Sequence, residues 1–239
     1  EIEGHGSIDR DHVAITGDAF GGVHEMHGQE SDVPVLVQPL VEFGDARRER
    51  RRRESVELAA LAEQGVQQAQ RAAERIAELT KVDAIYASPL ERARETAAPI
   101  AAARGMKVHI DKGLLECDFG DWTGAELKKL MKLPEWNTVQ RAPSTFRFPN
   151  GESFTEMQTR MVSAVDRLRA KHPGGTIVCV SHADPIKAIT AHAMGSHIDL
   201  FQRIVISTCS ITAIAYGMGA PVVLTVNSTG GSLAEMRPS

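Results

Sequence analysis

Apolar and polar positions along this chain follow two periods, and from about residue 61 onward the two take turns. After Gly65, the residues Val66, Ala69, Ala73, Ile76 and Ala77 recur at helical spacing, which predicts a helix with all five on one face. Val82-Asp-Ala-Ile-Tyr-Ala87 is a short apolar run and predicts a buried strand. Ser88-Pro-Leu-Glu91 predicts the start of the next helix: Ser with Glu three later makes a capping box, and Pro suits the first helical position. Lys107–Asp111 reads as a short strand. Phe154, Met157, Met161, Val165 and Leu168 mark one face of a long helix. Thr176–Ser181 is a strongly apolar strand, followed by Asp184 and Pro185 as N-cap and first helical residue. Ser210–Tyr216 and Pro221–Asn227 predict two further strands, paired with each other. Strands alternating with helices imply an α/β fold, a three-layer α/β/α sandwich around a mostly parallel sheet.

Neither period is visible at the start of the chain. Residues 1–32 are rich in Gly, His and acids, and Val35-Leu-Val37 is an apolar run cut short by Pro39, at best a short strand. An arginine-rich run, Arg47–Arg53, follows, and such runs are usually a solvated helix face or an irregular segment. The chain therefore divides into an atypical segment, 1–54, a main domain, 55–232, and a tail, 233–239. The first strand of the sheet is the least defined element.

Composition narrows the class. A chain of 239 residues can fill one large α/β domain, and 42% hydrophobic with 24% charged residues is typical of a soluble globular protein. A formal charge of −4 speaks against nucleic-acid or anionic-membrane binding through the overall field. Cys117, Cys179 and Cys209 are far apart and odd in number, a pattern of buried, reduced thiols in a cytoplasmic protein. No apolar run approaches the roughly 18–20 residues that span a bilayer. The first residues lack the basic and apolar regions of a signal peptide, and the chain does not begin with Met, which leaves a fragment open.

Three segments carry candidate chemistry. Arg92 falls in the first turn of a predicted helix, where the macrodipole disfavours a cation unless an anion is bound there; the alternative is a surface arginine paired with Glu91 or Glu95. His182 follows a buried strand directly, at the end of a parallel strand where ligands bind in open α/β sheets; the alternative is a satisfied structural histidine. In Leu115-Glu-Cys-Asp-Phe-Gly-Asp-Trp-Thr-Gly124, acids interleave with aromatic rings, and a carboxyl in apolar surroundings has a raised pKa. Glu116 is the best-placed acid there, with a solvated turn as the alternative. Guanidinium, imidazole and carboxyl each follow a strand, so one sheet edge can gather them into a phosphate pocket with an acid to protonate a leaving oxygen.

These residues match an ordered set of motifs. Ser88-Pro-Leu-Glu-Arg-Ala-Arg-Glu-Thr96, Leu114-Leu-Glu-Cys-Asp-Phe-Gly-Asp-Trp-Thr-Gly124, Pro149-Asn-Gly-Glu-Ser153 and Val178-Cys-Val-Ser-His182 resemble the conserved segments of the histidine phosphatase (phosphoglycerate mutase-like) superfamily. Leu61-Ala-Glu-Gln-Gly-Val-Gln-Gln-Ala69 resembles a fifth with one change. The segments Asp199–Val205 and Val226–Gly231 look most like an actinobacterial branch of phosphatases and phosphomutases. The resemblance implies phosphoryl transfer from small phosphorylated metabolites through a phosphohistidine, with neither metal nor other cofactor. By resemblance Arg92 would hold phosphate, His182 would be the second catalytic histidine and Glu116 the proton donor. The loop Lys128–Phe148, with Trp136, Arg141, Phe146 and Arg147, would line the pocket. No nucleic-acid or membrane partner is implied, and a homodimer is left open.

The chain departs from that pattern at one point. An Arg-His-Gly carrying the nucleophile should follow the run Val35–Val37, where the chain has Gln38-Pro39-Leu40. The His-Gly pairs His5-Gly6 and His27-Gly28 follow no strand-like run, so the nucleophile is unknown. One reading is a catalytically dead pseudophosphatase that binds a phosphorylated ligand or partner. The other is that residues 1–54 are translated out of frame, which would leave the sheet without its first strand. A metallohydrolase using His5, Asp9, Asp11, His12, His24 and His27 lacks helical ligand spacing.

Overall fold

The structure, a computed structural model, describes residues 33–37, 51–217 and 219–231. In chain order they form β1 (Val33–Val37), α1 (Arg51–Ala77), β2 (Ala84–Ala87), α2 (Glu91–Arg104), β3 (Val108–Ile110), α3 (Leu127–Leu130), α4 (Glu135–Arg141), α5 (Phe154–Arg169), β4 (Thr176–Val180), α6 (Ala183–Ala193), β5 (Ile211–Ala215) and β6 (Val222–Ser228). The sheet order is β3-β2-β4-β1-β5-β6. The first four strands run parallel, β5 lies antiparallel to β1, and β6 antiparallel to β5. The predicted terminal strand pair and the mostly parallel sheet are both present.

β1 is a central strand, hydrogen-bonded to β4 on one side and β5 on the other. The expectation that the first strand would be weak or missing is thereby corrected. A strand covered on both faces needs an unbroken apolar run rather than alternation, and Val35, Leu36 and Val37 provide one. Their side chains alternate between layers. Val35 and Val37 join Ile85 and Val178 under α1 and α2, whereas Leu36 joins Ile177 and Cys179 under α5 and α6.

The helices differ from expectation at their starts. α1 begins at Arg51, so it contains Arg51–Arg53, crosses the expected domain boundary at 55 and runs through Gly65. Its inward stripe is Gly65, Ala69, Ala72, Ala73 and Ile76. Gly65 takes the inward place, and Val66, one residue further round, is 63% exposed, as is most of Ala77. Burial of the stripe offsets the roughly 1 kcal/mol that a glycine costs inside a helix. In α5 all five predicted inward residues are buried. Ser153 caps it with a capping box to Glu156. Full burial of side chains such as Met161 and Leu168 contributes about 1.5–3 kcal/mol each.

A third apolar cluster lies beyond the sheet and ties the long loops to α5 and α6. Phe146, Phe148, Phe154 and Phe201 are its centre, with Phe119, Trp122 and Trp136 packed against it. The rings meet tilted or edge-on, as between Phe146 and Phe148 at 4.9 Å and Phe148 and Phe154 at 5.2 Å. Beside this cluster two loops touch backbone to backbone. Asp121 N donates to Pro149 O at 2.9 Å, and Glu152 N donates to Asp118 O at 2.9 Å. A Cβ on Gly120 would lie 2.1 Å from Pro149 O, and one on Gly151 would lie 2.4 Å from Asp118 O. Gly120 also has φ +50°, a conformation that L side chains disfavour. Gly120→Ala is therefore expected to destabilise the fold by more than about 1 kcal/mol, measured as a lowered denaturation midpoint. Gly124→Ala, with open space around it but φ +75°, should cost less.

Candidate active site

β4 delivers the histidine. Beyond Val180, Ser181 N donates to Val37 O at 3.0 Å and Ser181 Oγ donates to Leu114 O at 2.9 Å, which anchors the turn to both β1 and the Glu116 loop. His182 then occupies the N-cap position of α6, in extended backbone conformation and only 1% exposed. Its Nε2 lies 2.8 Å from Ser88 Oγ. Nδ1 is buried and has no hydrogen-bond partner among the described residues. Burial first, then the charges of Arg92 and Arg160, lower the imidazole pKa to about 3, so His182 is neutral at physiological pH.

Two expected caps are corrected by this arrangement. α2 begins at Glu91 with Leu90 at its N-cap and no side-chain cap. Ser88 is fully buried at the end of β2, its N donates to Val180 O at 2.9 Å, and its hydroxyl faces His182 instead of capping a helix. In α6, Asp184 and Pro185 are the second and third helical residues, because the extended His182 already ends the strand-to-helix turn. Asp184 pairs with Lys187 at 3.1 Å.

Arg92 stands in the first turn of α2, half-buried. It forms no ion pair with Glu91 or Glu95 among the described residues. Its charge instead acts on Glu116 and His182, lowering the pKa of each. Glu116 follows a single 3-10 turn, Lys112–Leu114, and its Oε1 accepts from Cys117 N at 2.9 Å. Burial, reinforced by the Asp184 carboxylate, pushes its pKa up to about 8 against the opposing pull of Arg92 and Lys187. The rings of Phe119 and Trp122 are turned toward Phe148, at 5.0 and 5.3 Å, so they pack into the third core. At neutral pH the site thus combines a guanidinium, an uncharged imidazole and a protonated carboxyl. That combination attracts an anion and can give it a proton.

Two residues that matter here were not singled out in sequence as part of the site. Arg160 of α5 reaches the loop of Glu116 and forms a two-point pair with Glu152, at 2.8 Å on each arm. Asp184 is the carboxylate that acts on Glu116. Neither has a periodic signal, although Glu152 lies inside a matched motif. The loop residues expected to line the pocket are placed otherwise. Phe146 is buried in the third core, Trp136 packs against it, Arg141 is exposed, and Arg147 pairs with Glu156 and donates to Gly151 O. A cleft of about 340 Å³ runs along Leu115, Glu116, Asp118, Glu152 and Arg160, on the side of the loop that neither Arg92 nor His182 lines.

The cysteines are all unpaired and buried, and burial pushes their thiols up, so they are not poised nucleophiles. Among the described residues no group of three His, Cys, Asp or Glu could hold a metal, and no helix is long and apolar enough to cross a membrane. Gln38-Pro39-Leu40, Arg47–Arg50 and the histidines of residues 1–32 lie outside the described residues.

The profile of the histidine phosphatase superfamily (branch 1) matches residues 45–229. The chain belongs to that superfamily. Among curated relatives, the bifunctional protein Rv2228c of Mycobacterium tuberculosis is 33% identical over 172 residues, covering 71% of this chain and 47% of the relative. The chain thus spans about half the length of the first curated relatives it matches. Phosphoserine phosphatase 1 of Hydrogenobacter thermophilus is 30% identical over 171 residues, covering 71% of this chain and 81% of the relative. Among solved structures, YhfR of Bacillus stearothermophilus superposes with a TM-score of 0.68 at 24% identity, over 82% of this chain and 97% of that one. This histidine phosphatase fold accounts for the sheet order and for the strand-end position of His182.

The neutral, buried His182 has a consequence for folding. Its pKa is depressed in the fold, so below the ordinary value of 6.5 the unfolded chain takes up a proton that the native site refuses. The associated stability is present above that value and is lost as pH falls toward about 3. Denaturation midpoints between pH values of about 6.5 and 4 should therefore show a component of up to about 1.4 kcal/mol per pH unit. His182→Gln is expected to remove that component. Carboxylates contribute equally to both proteins, so the difference between them isolates the histidine.

Proposed function

We propose that this chain acts on small phosphorylated metabolites as a phosphoric-ester hydrolase or phosphomutase-like protein, without metal or other cofactor. The observation that carries this reading is the convergence of Arg92, neutral His182 and protonated Glu116 at the carboxyl ends of parallel strands. Arg92, with the N-terminal turn of α2 behind it, would neutralise the equatorial phosphate oxygens. The free Nδ1 of His182 would contact the same group as it moves. Glu116 would give its proton to the departing ester oxygen, so that an alcohol rather than an alkoxide leaves. The phosphoryl group would pass to a histidine nitrogen and then to water or a second hydroxyl. Similarity to a phosphoserine phosphatase supports a small, hydroxyl-bearing leaving group.

A second reading has its own observation. The three residues after β1 are Gln38-Pro39-Leu40, and none of them carries a nucleophile. A pocket that is otherwise built would then bind a phosphorylated ligand without turning it over. Release of p-nitrophenol from p-nitrophenyl phosphate, with His182→Ala as control, separates the two. The enzyme reading expects release above that control. With phosphoserine, whose alkoxide needs a proton to leave, Glu116→Gln should reduce phosphate release by about 10²–10⁴, and release by the unaltered chain should decline on the basic side of about pH 8 as Glu116 ionises. Calorimetric binding of phosphoserine with no release supports the second reading. Neither binding nor release overturns both.

A further inference from the structure

Glu116 stands on a loop with almost no regular structure, one 3-10 turn on its N-terminal side and another at Gly120–Trp122. Such a loop does not by itself hold a partly buried carboxyl in one position. The guanidinium of Arg160 supplies what the loop lacks. Its Nη1 donates to Gly113 O and to Leu115 O, both at 2.9 Å, and its Nη2 donates to Glu116 O at 3.2 Å. Its Nε and Nη2 donate to the two carboxylate oxygens of Glu152 at 2.8 Å. The planar fork therefore meets three backbone carbonyls of one loop and one carboxylate of another. Lysine has neither the number of donors nor the geometry for this. Arg160 is 26% exposed and Glu152 16%, so the pair is largely shielded from solvent.

Glu152 is itself fixed from both sides. Its N donates to Asp118 O at 2.9 Å, across the approach that requires Gly120 and Gly151 to lack side chains. Arg160 projects from the middle of α5, whose opposite face is buried under the sheet. One rigid helix and one rigid loop contact thus converge on the flexible segment.

We propose that Arg160, clamped by Glu152, is the positioning residue that holds Glu116 in place as the proton donor of the site. This rests on the role given to Glu116 above. The charged groups facing Glu116 are Asp184 and Lys187 from α6, Arg92 from α2 and Arg160 from α5, with Glu152 behind Arg160 and the buried Cys117 thiol beside it. The cation of Arg160 by itself favours the ionised carboxylate, and Glu152 offsets that charge. What remains is geometric: three carbonyls held in one orientation fix how far the partly buried Glu116, which borders the cleft, is shielded from water. Loss of the fork lets water reach the carboxyl, which then ionises at lower pH.

The test follows the carboxyl directly and does not depend on turnover. In protein labelled with ¹³C-glutamate, the Glu116 side-chain resonance is assigned by its loss in Glu116→Gln and followed through a pH titration. Two variants are compared with the unaltered chain. Arg160→Lys keeps the charge and gives up the fork, and the double variant Arg160→Met with Glu152→Gln removes both charges together. Each is expected to lower the Glu116 midpoint by at least one pH unit, about a tenfold loss of proton affinity. A general loss of stability would move the denaturation midpoint and not this titration. If both variants fold, by an unchanged circular dichroism spectrum, and Glu116 titrates as before, the proposal is overturned. If the double variant fails to fold, Arg160→Lys decides alone. Calorimetry of phosphoserine with the unaltered chain is read separately. Absence of binding overturns the reading of the pocket, whereas the titration still judges the clamp.

Discussion

Parallel pairing of β4 with β2 on one side and β1 on the other sets everything else in this molecule. Ala87, Val180 and Val37 lie at one level of the sheet, so three chain segments leave it together at one edge. Two hydrogen bonds lock that edge: Ser88 N donates to Val180 O, and Ser181 N donates to Val37 O. The register is enforced by burial, because both faces of the central strands are covered. A slip by one residue would turn Val35 and Val37 toward the wrong helical layer.

From that edge the chemistry follows with little further design. The chain just past β4 enters the crevice between Ser88 and the Glu116 loop: Ser181 Oγ donates to Leu114 O, and His182 faces Ser88. Burial there keeps an imidazole neutral and a carboxyl protonated beside the guanidinium of Arg92 in α2. A guanidinium resists deprotonation even where burial strips a carboxylate or an imidazolium of its charge. The three groups therefore respond to the same surroundings in different ways, and their mixture of charge states is a product of burial acting on different intrinsic acidities.

The loops are held by means other than the sheet. Aromatic rings from Phe119 to Phe201 make a separate core, and close backbone contact between Gly120 and Gly151 ties two loops that contribute little hydrogen-bonded structure of their own. This rigidity lies beside the site rather than within it. It lets an irregular segment such as 113–118 hold a candidate site side chain, provided a partner such as Arg160 spans the distance to α5.

Much of this was legible along the chain. The α/β class, the burial of Phe154, Met157, Met161, Val165 and Leu168, the paired last strands and the three candidate site residues all depend on local periodicity or on ordered motifs, and both are written in order along a sequence. What local pattern misjudged was context. Ser88 and Asp184 look like helix caps, because capping is the commonest use of such residues before a helix. Only the fold puts Ser88 against His182 and Asp184 near Glu116. Val35–Val37 looked marginal beside Pro39, yet burial from both faces makes it a central strand. The sequence by itself determined the family, the layers and the candidate site residues, since those reside in short segments. Tertiary structure alone decided the partners of Arg160, the neutrality of His182 and the groups that raise the pKa of Glu116. Those are set by groups as far apart along the chain as Arg92 and His182, and by the exclusion of water that only the assembled layers produce.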